Sequence, residues 1–280
     1  MKIEQVQKLS PESRFLYWIK LRESIRIAKS RKKRRPWTDD EILQNHRFCN
    51  VVRMEDKVSK WLNNNWYQPN YGHKNIVPAI VLARHFNLPD VLMVLRYPFK
   101  WDADKYVKRV EKCEKKFNAA YIITGKNSGH PNKHETVIRL VVQQFFDNPL
   151  RMDINSMQQT AERLMEYENI GSFMAGQIVA DMRWSMDGEW DDRMTWAPIG
   201  PGSRRGMNRL HGRPEKQALR QVQFLSELRD VMRDFKKELP SALTKRMEAH
   251  DWQNCFCEFG KYERALWKEG RPKQRYNGRG

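Results

Sequence analysis

The sequence predicts a mainly α-helical protein, and three observations carry that reading. Apolar residues recur at three- and four-residue steps along most of the chain, the period of a helix with one buried face. Hydrophobic residues make up 40% of the 280 positions, enough to build a core. One short apolar run, Ala119-Ala120-Tyr121-Ile122-Ile123, reads as less helical, and it leads into a loop over 124–129.

Taken in order, residues 13–29 form the first helix. Phe15, Ile19, Arg22 and Arg26 fall at helical steps, with Leu16, Tyr17, Leu21, Ile25 and Ile27 filling one side. The basic run Arg31-Lys32-Lys33-Arg34-Arg35 precedes Pro36, which ends that helix. Thr38 then stands as an N-cap with Glu41 three positions on, a capping box opening a helix through Ile42, Phe48, Val51 and Val52. Further helices are expected over 77–86, 102–113, 133–146 and 156–167. A long charged helix over 215–238 stops at Pro240, with Leu219, Val222, Leu225, Leu228 and Val231 as a core-facing stripe at three-residue steps. Residues 270–275 look like a basic tail able to run along a backbone. The chain thus divides into an N-terminal helix with its basic run (1–35), a helical body (36–268) and the tail (269–280).

Charge narrows the partner. Lysine and arginine number 52 against 34 acidic residues, a formal net charge of +18. A surplus of that size points to a polyanion, nucleic acid first and an anionic membrane surface second. No stretch reaches the ~20 apolar residues that span a bilayer, and the opening residues lack the apolar run of a secretory signal, so a cytoplasmic location is expected. Cys49, Cys113, Cys255 and Cys257 are too scattered for a common zinc motif and read as reduced core thiols.

Four stretches carry chemistry. In the first, Arg47, Asn50 and Arg53 fall at three-residue steps with Asp56 and Lys57 continuing the row; such a helix face either lines a pocket or is merely solvated. In the second, residues 167–178 have the look of the turn and second helix of a helix-hairpin-helix, where main-chain N–H groups hold a DNA phosphate without reading sequence. The competing reading is an ordinary glycine-containing turn between helices, since Phe173 replaces the usual second glycine. The third, Trp196-Ala197-Pro198-Ile199-Gly200-Pro201-Gly202-Ser203-Arg204-Arg205-Gly206, combines glycines that allow close backbone approach with paired arginine forks suited to phosphate oxygens. No Walker A loop occurs, so the phosphates are expected to arrive on the substrate rather than on a nucleotide held by a P-loop. In the fourth, Glu258 and Lys261 are three apart, ordinarily a helical ion pair beside aromatic packing.

These stretches resemble the alpha-glutamyl/putrescinyl thymine pyrophosphorylase family of phage DNA-hypermodification enzymes. The resemblance runs from Pro36-Trp37-Thr38-Asp39-Asp40 to Arg53, over Gly171-Ser172-Phe173-Met174-Ala175 to Asp181, and through Gly200–Gly206. It closes on Cys257-Glu258-Phe259-Gly260-Lys261-Tyr262, where Gly260 stands in place of an expected aspartate. That family is related to the helical domain of 5-hydroxymethyluridine DNA kinases. It implies a fold like the helix-hairpin-helix DNA glycosylases and action on double-stranded phage DNA in the infected host.

What the resemblance implies is a transferase downstream of a separate DNA kinase. It would flip out a thymine derivative bearing pyrophosphate on its 5-methylene and displace the pyrophosphate with an amine, an amino acid such as glycine or a polyamine. Arg204, Arg205 and Ser203, supported by Arg47 and Arg53, are then expected to bind pyrophosphate. Asp181, Glu258 and Asp39 are the candidate general bases; Asp181 could equally be a hairpin-helix residue facing solvent. Gly171, Ser172 and Phe173, with Lys32 and Lys33, are expected to contact DNA, and Asn50 and Trp196 to line the base pocket. No cofactor is firmly expected, although a divalent metal could accompany pyrophosphate. Glycosylases usually carry a catalytic aspartate after the hairpin helix, and Gly200–Arg205 has no acid. The alternatives are a glycosylase for a modified base and a non-catalytic module that partners a 5-hydroxymethyluracil DNA kinase.

Overall fold

A computed structural model describes residues 2–118, 129–151, 155–186 and 190–270. Among these residues the regular structure is helical, with no β-strand. The helices that matter below are α1 (Pro11–Ser30), α2 (Ile76–Phe86), α3 (Ala103–Glu111), α4 (Met157–Leu164), α5 (Ser172–Ser185), α6 (Pro201–Leu210), α7 (Gln221–Phe235) and α8 (Ala249–Leu266). The chain forms two compact units. The first joins Met1–Asp56 to Met194–Gly280, and the second is Lys57–Arg193. No helix among the described residues is long and apolar enough to cross a membrane.

The first unit is built on α1, α7 and α8. Ser10 caps α1, its hydroxyl accepting from the N–H of Ser13, and Pro11 occupies the first turn where its missing N–H costs nothing. Phe15 is fully buried, stacked on Phe256 at 4.9 Å and edge-on to Phe259 at 5.1 Å. A buried Arg14–Glu263 ion pair of 2.8 Å ties α1 to α8. The N-terminal helix is therefore part of this unit's core.

The basic run after α1 folds back on Trp37. Lys29 Nζ lies 4.6 Å and Arg35 Cζ 5.4 Å from its ring centroid, while the indole N–H donates to the Lys33 carbonyl. The next helix is capped by Asp40, not Thr38: Asp40 Oδ1 accepts from the Leu43 N–H, and Thr38 accepts from the Asp40 N–H instead. It covers only Glu41–Asn45, far shorter than the periodicity predicts.

The charged helix expected over 215–238 also starts later, at Gln221. Its core stripe is Phe224, Leu228, Val231 and Met232, and Val222 is 79% exposed. A strict three-residue spacing drifts off one face of a 3.6-residue helix, which is why Val222 leaves the core. Leu219 is buried from the preceding segment.

The second unit surrounds α2, every residue of which is buried. The helical stretch 133–147 contains a π segment, Thr136–Val142. Helix α4 begins at Ser156, where the Asp192 carboxylate accepts from the N–H groups of Met157 (2.7 Å) and Gln158 (2.9 Å). A tight turn carries the chain from α4 into α5, with Asn169 at φ +60°. Gln144 braces it by bonding both the N–H (2.9 Å) and the carbonyl (3.0 Å) of Glu168. The apolar run at 119–123, most of the loop at 124–129 and the tail beyond 270 lie outside the described residues.

Candidate functional site

Three of the four chemical stretches meet in the first unit. The chain leaves its helix at His46, which is extended (φ −116°, ψ 145°), because side chains take the backbone groups that follow. Arg22 Nε donates to the carbonyls of Phe48 (3.2 Å) and Cys49 (2.9 Å), and Arg22 Nη2 to Asn50 Oδ1 (2.6 Å). The Cys49 N–H donates to Glu258 Oε2 (2.9 Å), the Asn50 N–H to Asp56 Oδ1 (2.8 Å) and the Arg53 N–H to Asp251 Oδ1 (2.8 Å). With three N–H groups and two carbonyls of 46–53 paired to side chains, a helical ladder through the segment is interrupted. Arg47, Asn50 and Arg53 consequently do not share a helix face. Arg47 is exposed, whereas Asn50 and Arg53 are buried.

Against this segment stand α6 and α8, packed closely enough to require glycine. A Cβ on Gly206 would collide with the Phe256 carbonyl, and one on Gly202 with the Cys257 thiol. Gly260 faces the same contact, where a Cβ would lie 3.3 Å from the Gly206 nitrogen, so a side chain there needs the α6 backbone to give by a few tenths of an ångström. The glycines at 202 and 206 thus serve helix packing rather than ligand approach, and Pro201–Leu210 is helix rather than loop. The Ser203 hydroxyl is fully buried and spent on its own N-terminus, accepting from the Gly200 N–H at 2.9 Å. Arg204 Nε is buried with no hydrogen-bond partner, and Arg205 makes a 3.4 Å contact with Glu215.

The result is a polar centre of mixed charge. Glu258, 3% exposed, pairs with Lys261 Nζ at 2.7 Å. Asp56 retains some solvent contact, yet burial of its carboxyl pushes its pKa up to about 6 against the opposing pull of the Asn50 N–H, Arg22 and Arg53; Glu258 adds to the rise. Asp56 Oδ1 takes the Asn50 N–H, and its second oxygen has no hydrogen-bond partner among the described residues. Arg22 keeps Nη1 buried and unpartnered. Burial, then the Glu258 charge, pushes the Cys257 thiol up to about 11 and Cys49 well above its ordinary range. Both thiols stay protonated at neutral pH and are poor nucleophiles. Arg53, Arg205 and Lys261 all act electrostatically on Cys257, which places three cations around that thiol. The centre can hold an anionic group and offers one carboxylate oxygen that can take a proton.

The other expected residues lie elsewhere. Trp196 is buried and tilted against the His250 ring at 5.5 Å. Asp39, Lys32 and Lys33 are exposed near the basic run. Asp181 belongs to the second unit and does not face solvent: it is fully buried, gripped through both oxygens by Arg84 and bonded by the Tyr67 hydroxyl at 2.5 Å. A carboxylate so engaged anchors α5 to α2. Gly171, Ser172 and Phe173 form the exposed start of α5, with no side chain capping it. In the sequence Asp56 stands out only as an extension of a helix face, and Arg22 only by its periodicity. A basic residue at a core-facing position of α1 was the available signal for Arg22, because a buried arginine must find acceptors.

Comparison with known proteins matches residues 12–271 to the family described as the helical domain of 5-hmdU DNA kinase. The 5-hmdU DNA kinase of Bacillus phage SP10 is 26% identical over 209 residues, covering 62% of this chain. The chain spans about a third of that relative's length, 32%. No solved structure matches it significantly.

Proposed function

From the premise that this chain belongs to the family of 5-hmdU DNA kinase helical domains, we propose that it modifies thymine bases of phage DNA by exchanging pyrophosphate for an amine. The reading extends the phage-DNA context of its relative to a step that follows phosphorylation. The amine nitrogen attacks the 5-methylene carbon of 5-pyrophosphoryloxymethyluracil, the carbon–oxygen bond breaks, and pyrophosphate leaves with the electron pair. The proton lost from nitrogen goes to a carboxylate.

The observation that carries this reading is the polar centre itself, where Arg53, Arg205 and Lys261 surround Cys257, and Arg22 and Arg53 act on Asp56, whose second oxygen is unpaired. An activated methylene needs positioning and charge control more than covalent help, and the protonated thiols fit that requirement. Asp56 is the proton acceptor in this scheme. Glu258 is committed to Lys261 and the Cys49 N–H, and Asp181 to Arg84. The exposed start of α5, with no side chain capping it, suits a phosphate of the DNA backbone, as in a helix-hairpin-helix. The setting is the interior of the infected bacterial cell, with a DNA kinase acting first.

The test is to incubate the protein with DNA carrying 5-pyrophosphoryloxymethyluracil and a panel of amino acids and polyamines, then digest to nucleosides for mass spectrometry. An amine adduct that needs the protein supports transfer; a released free base supports a glycosylase and ends the proposal. A second reading is favoured by the kinase named as its relative, of which the chain spans only a third: a DNA-binding module that presents DNA to a kinase. Wild type that binds DNA and turns over no amine, with an Arg204→Ala, Arg205→Ala variant binding equally well, decides for the module.

A further inference from the structure

The second unit carries a cluster of rings at its surface that the transfer chemistry does not use. Phe99 is 56% exposed and Tyr71 44%. The Phe99 ring lies 4.8 Å from that of Tyr97 and edge-on to His73 at 5.2 Å, and Trp66 backs Tyr97 at 5.5 Å. This arrangement is anchored from beneath. The Trp66 indole donates to the Ala79 carbonyl of α2 at 3.0 Å, and the Asn75 amide donates to the carbonyls of Pro98 (2.7 Å) and Phe99 (3.2 Å). Arg96 turns the chain into the ring segment with φ +64°, a left-handed conformation that an arginine adopts only under constraint.

The charges that flank the ring residues in sequence are basic. Lys74, Arg96 and Lys100 are exposed, stand next in sequence to His73, Tyr97 and Phe99, and have no acidic partner among the described residues. The acids that follow are already engaged, Asp102 with Lys105 at 3.0 Å and Asp104 with Arg139 at 2.6 Å. Behind Phe99 the Tyr97 hydroxyl is buried without a hydrogen-bond partner, a deficiency of the kind found where a ligand or ordered water completes the bonding. An exposed aromatic ring alone needs no explanation. A ring held rigidly, with three exposed cations next in sequence to the cluster, matches the way proteins bind single-stranded nucleic acid, with the base on the ring and the phosphates on the cations.

We infer that Tyr97, Phe99 and His73, flanked by Lys74, Arg96 and Lys100, form a stacking platform for an unpaired nucleotide of DNA. The inference shares with the transfer reading only the binding of DNA and is independent of its amine chemistry. A nucleotide displaced from the duplex, or a neighbour exposed when one is displaced, is the occupant.

Fluorescence anisotropy with the full chain tests it, using fluorescein-labelled oligothymidine and a fully paired duplex of the same length as probes. Phe99→Ala should weaken single-strand binding about tenfold, within the range for losing one stacked base, and change duplex binding less than about twofold. Phe99→Trp should restore the affinity, and its added emission should be quenched by oligothymidine. The half-exposed position makes an unchanged melting temperature the folding control. Equal losses on both probes, no loss on either, or an unquenched tryptophan overturns the platform. Wild type that binds duplex but not oligothymidine overturns the platform and leaves the transfer reading standing; wild type that binds neither overturns both.

Discussion

Replacing Asp56 by asparagine should make the protein more stable at neutral pH. The asparagine amide oxygen can still accept the Asn50 N–H, so the local hydrogen bond survives while the charge goes. In the native protein the carboxyl pKa is raised from 3.8 to about 6, mainly by burial, with Glu258 adding to the rise and Arg22 and Arg53 opposing it. Because the folded-state value lies above the unfolded one, the fold favours the protonated acid. That contribution is fully present below about pH 4 and is lost as pH rises through about 6. The gap between 3.8 and about 6 corresponds to a ceiling of about 3 kcal/mol. At roughly 2–4 °C per kcal/mol for a chain of this size, the variant should melt several degrees above wild type at pH 8. The gap should shrink to about a third of that by pH 4.5 and nearly close below about pH 3.5. Thermal unfolding of both proteins across that range reads the difference directly. A gap that stays constant with pH, or closes as pH rises, refutes the placement of Asp56 as an acid held against its charge.

Further variants test the packing and the buried pair. Gly206→Ala puts a methyl group into the Phe256 carbonyl and should cost about 1–3 kcal/mol by separating α6 from α8, seen as a lower melting temperature. Gly171→Ala, whose Cβ would meet nothing within 4 Å, should unfold as wild type does. Asp181→Asn leaves Arg84 buried with its charge unmatched and should cost about 3–5 kcal/mol in chemical denaturation. An Arg84→Met, Asp181→Leu pair should recover much of that loss; if the pair is no better than the single change, the two residues are not the coupled anchor described here.

Much of the fold was legible in the sequence because most helices declare themselves by period and cap. The periodic stretches 13–29, 77–86 and 102–113 are local signals, and α1, α2 and α3 lie within a few residues of them. The segment 46–56 was not legible. Its backbone is held by Arg22, Glu258, Asp56 and Asp251, and three of these come from α1 or α8, so no local window could reveal that its helix would stop at Asn45. The glycines at 202 and 206 looked like a phosphate loop because the partner that explains them, Phe256-Cys257, is fifty or so residues away. Arg53 and Glu258 were identified from sequence, but that both belong to one centre with Asp56 required the fold. Asp181 stood out through the family resemblance, as a candidate base or a solvent-facing residue, and it is instead buried and paired with Arg84, as burial of a carboxylate demands.

The central claim is that the polar centre exchanges pyrophosphate for an amine, and the count of pyrophosphate released per modified nucleoside formed tests it most directly. With DNA bearing 5-pyrophosphoryloxymethyluracil and an accepted amine, the account predicts one pyrophosphate for each adduct, no release without the amine, and a rate that falls as pH drops below about 6, where Asp56 takes up its proton. Pyrophosphate release that proceeds equally without any amine, or an adduct that accumulates with no pyrophosphate set free, would contradict it.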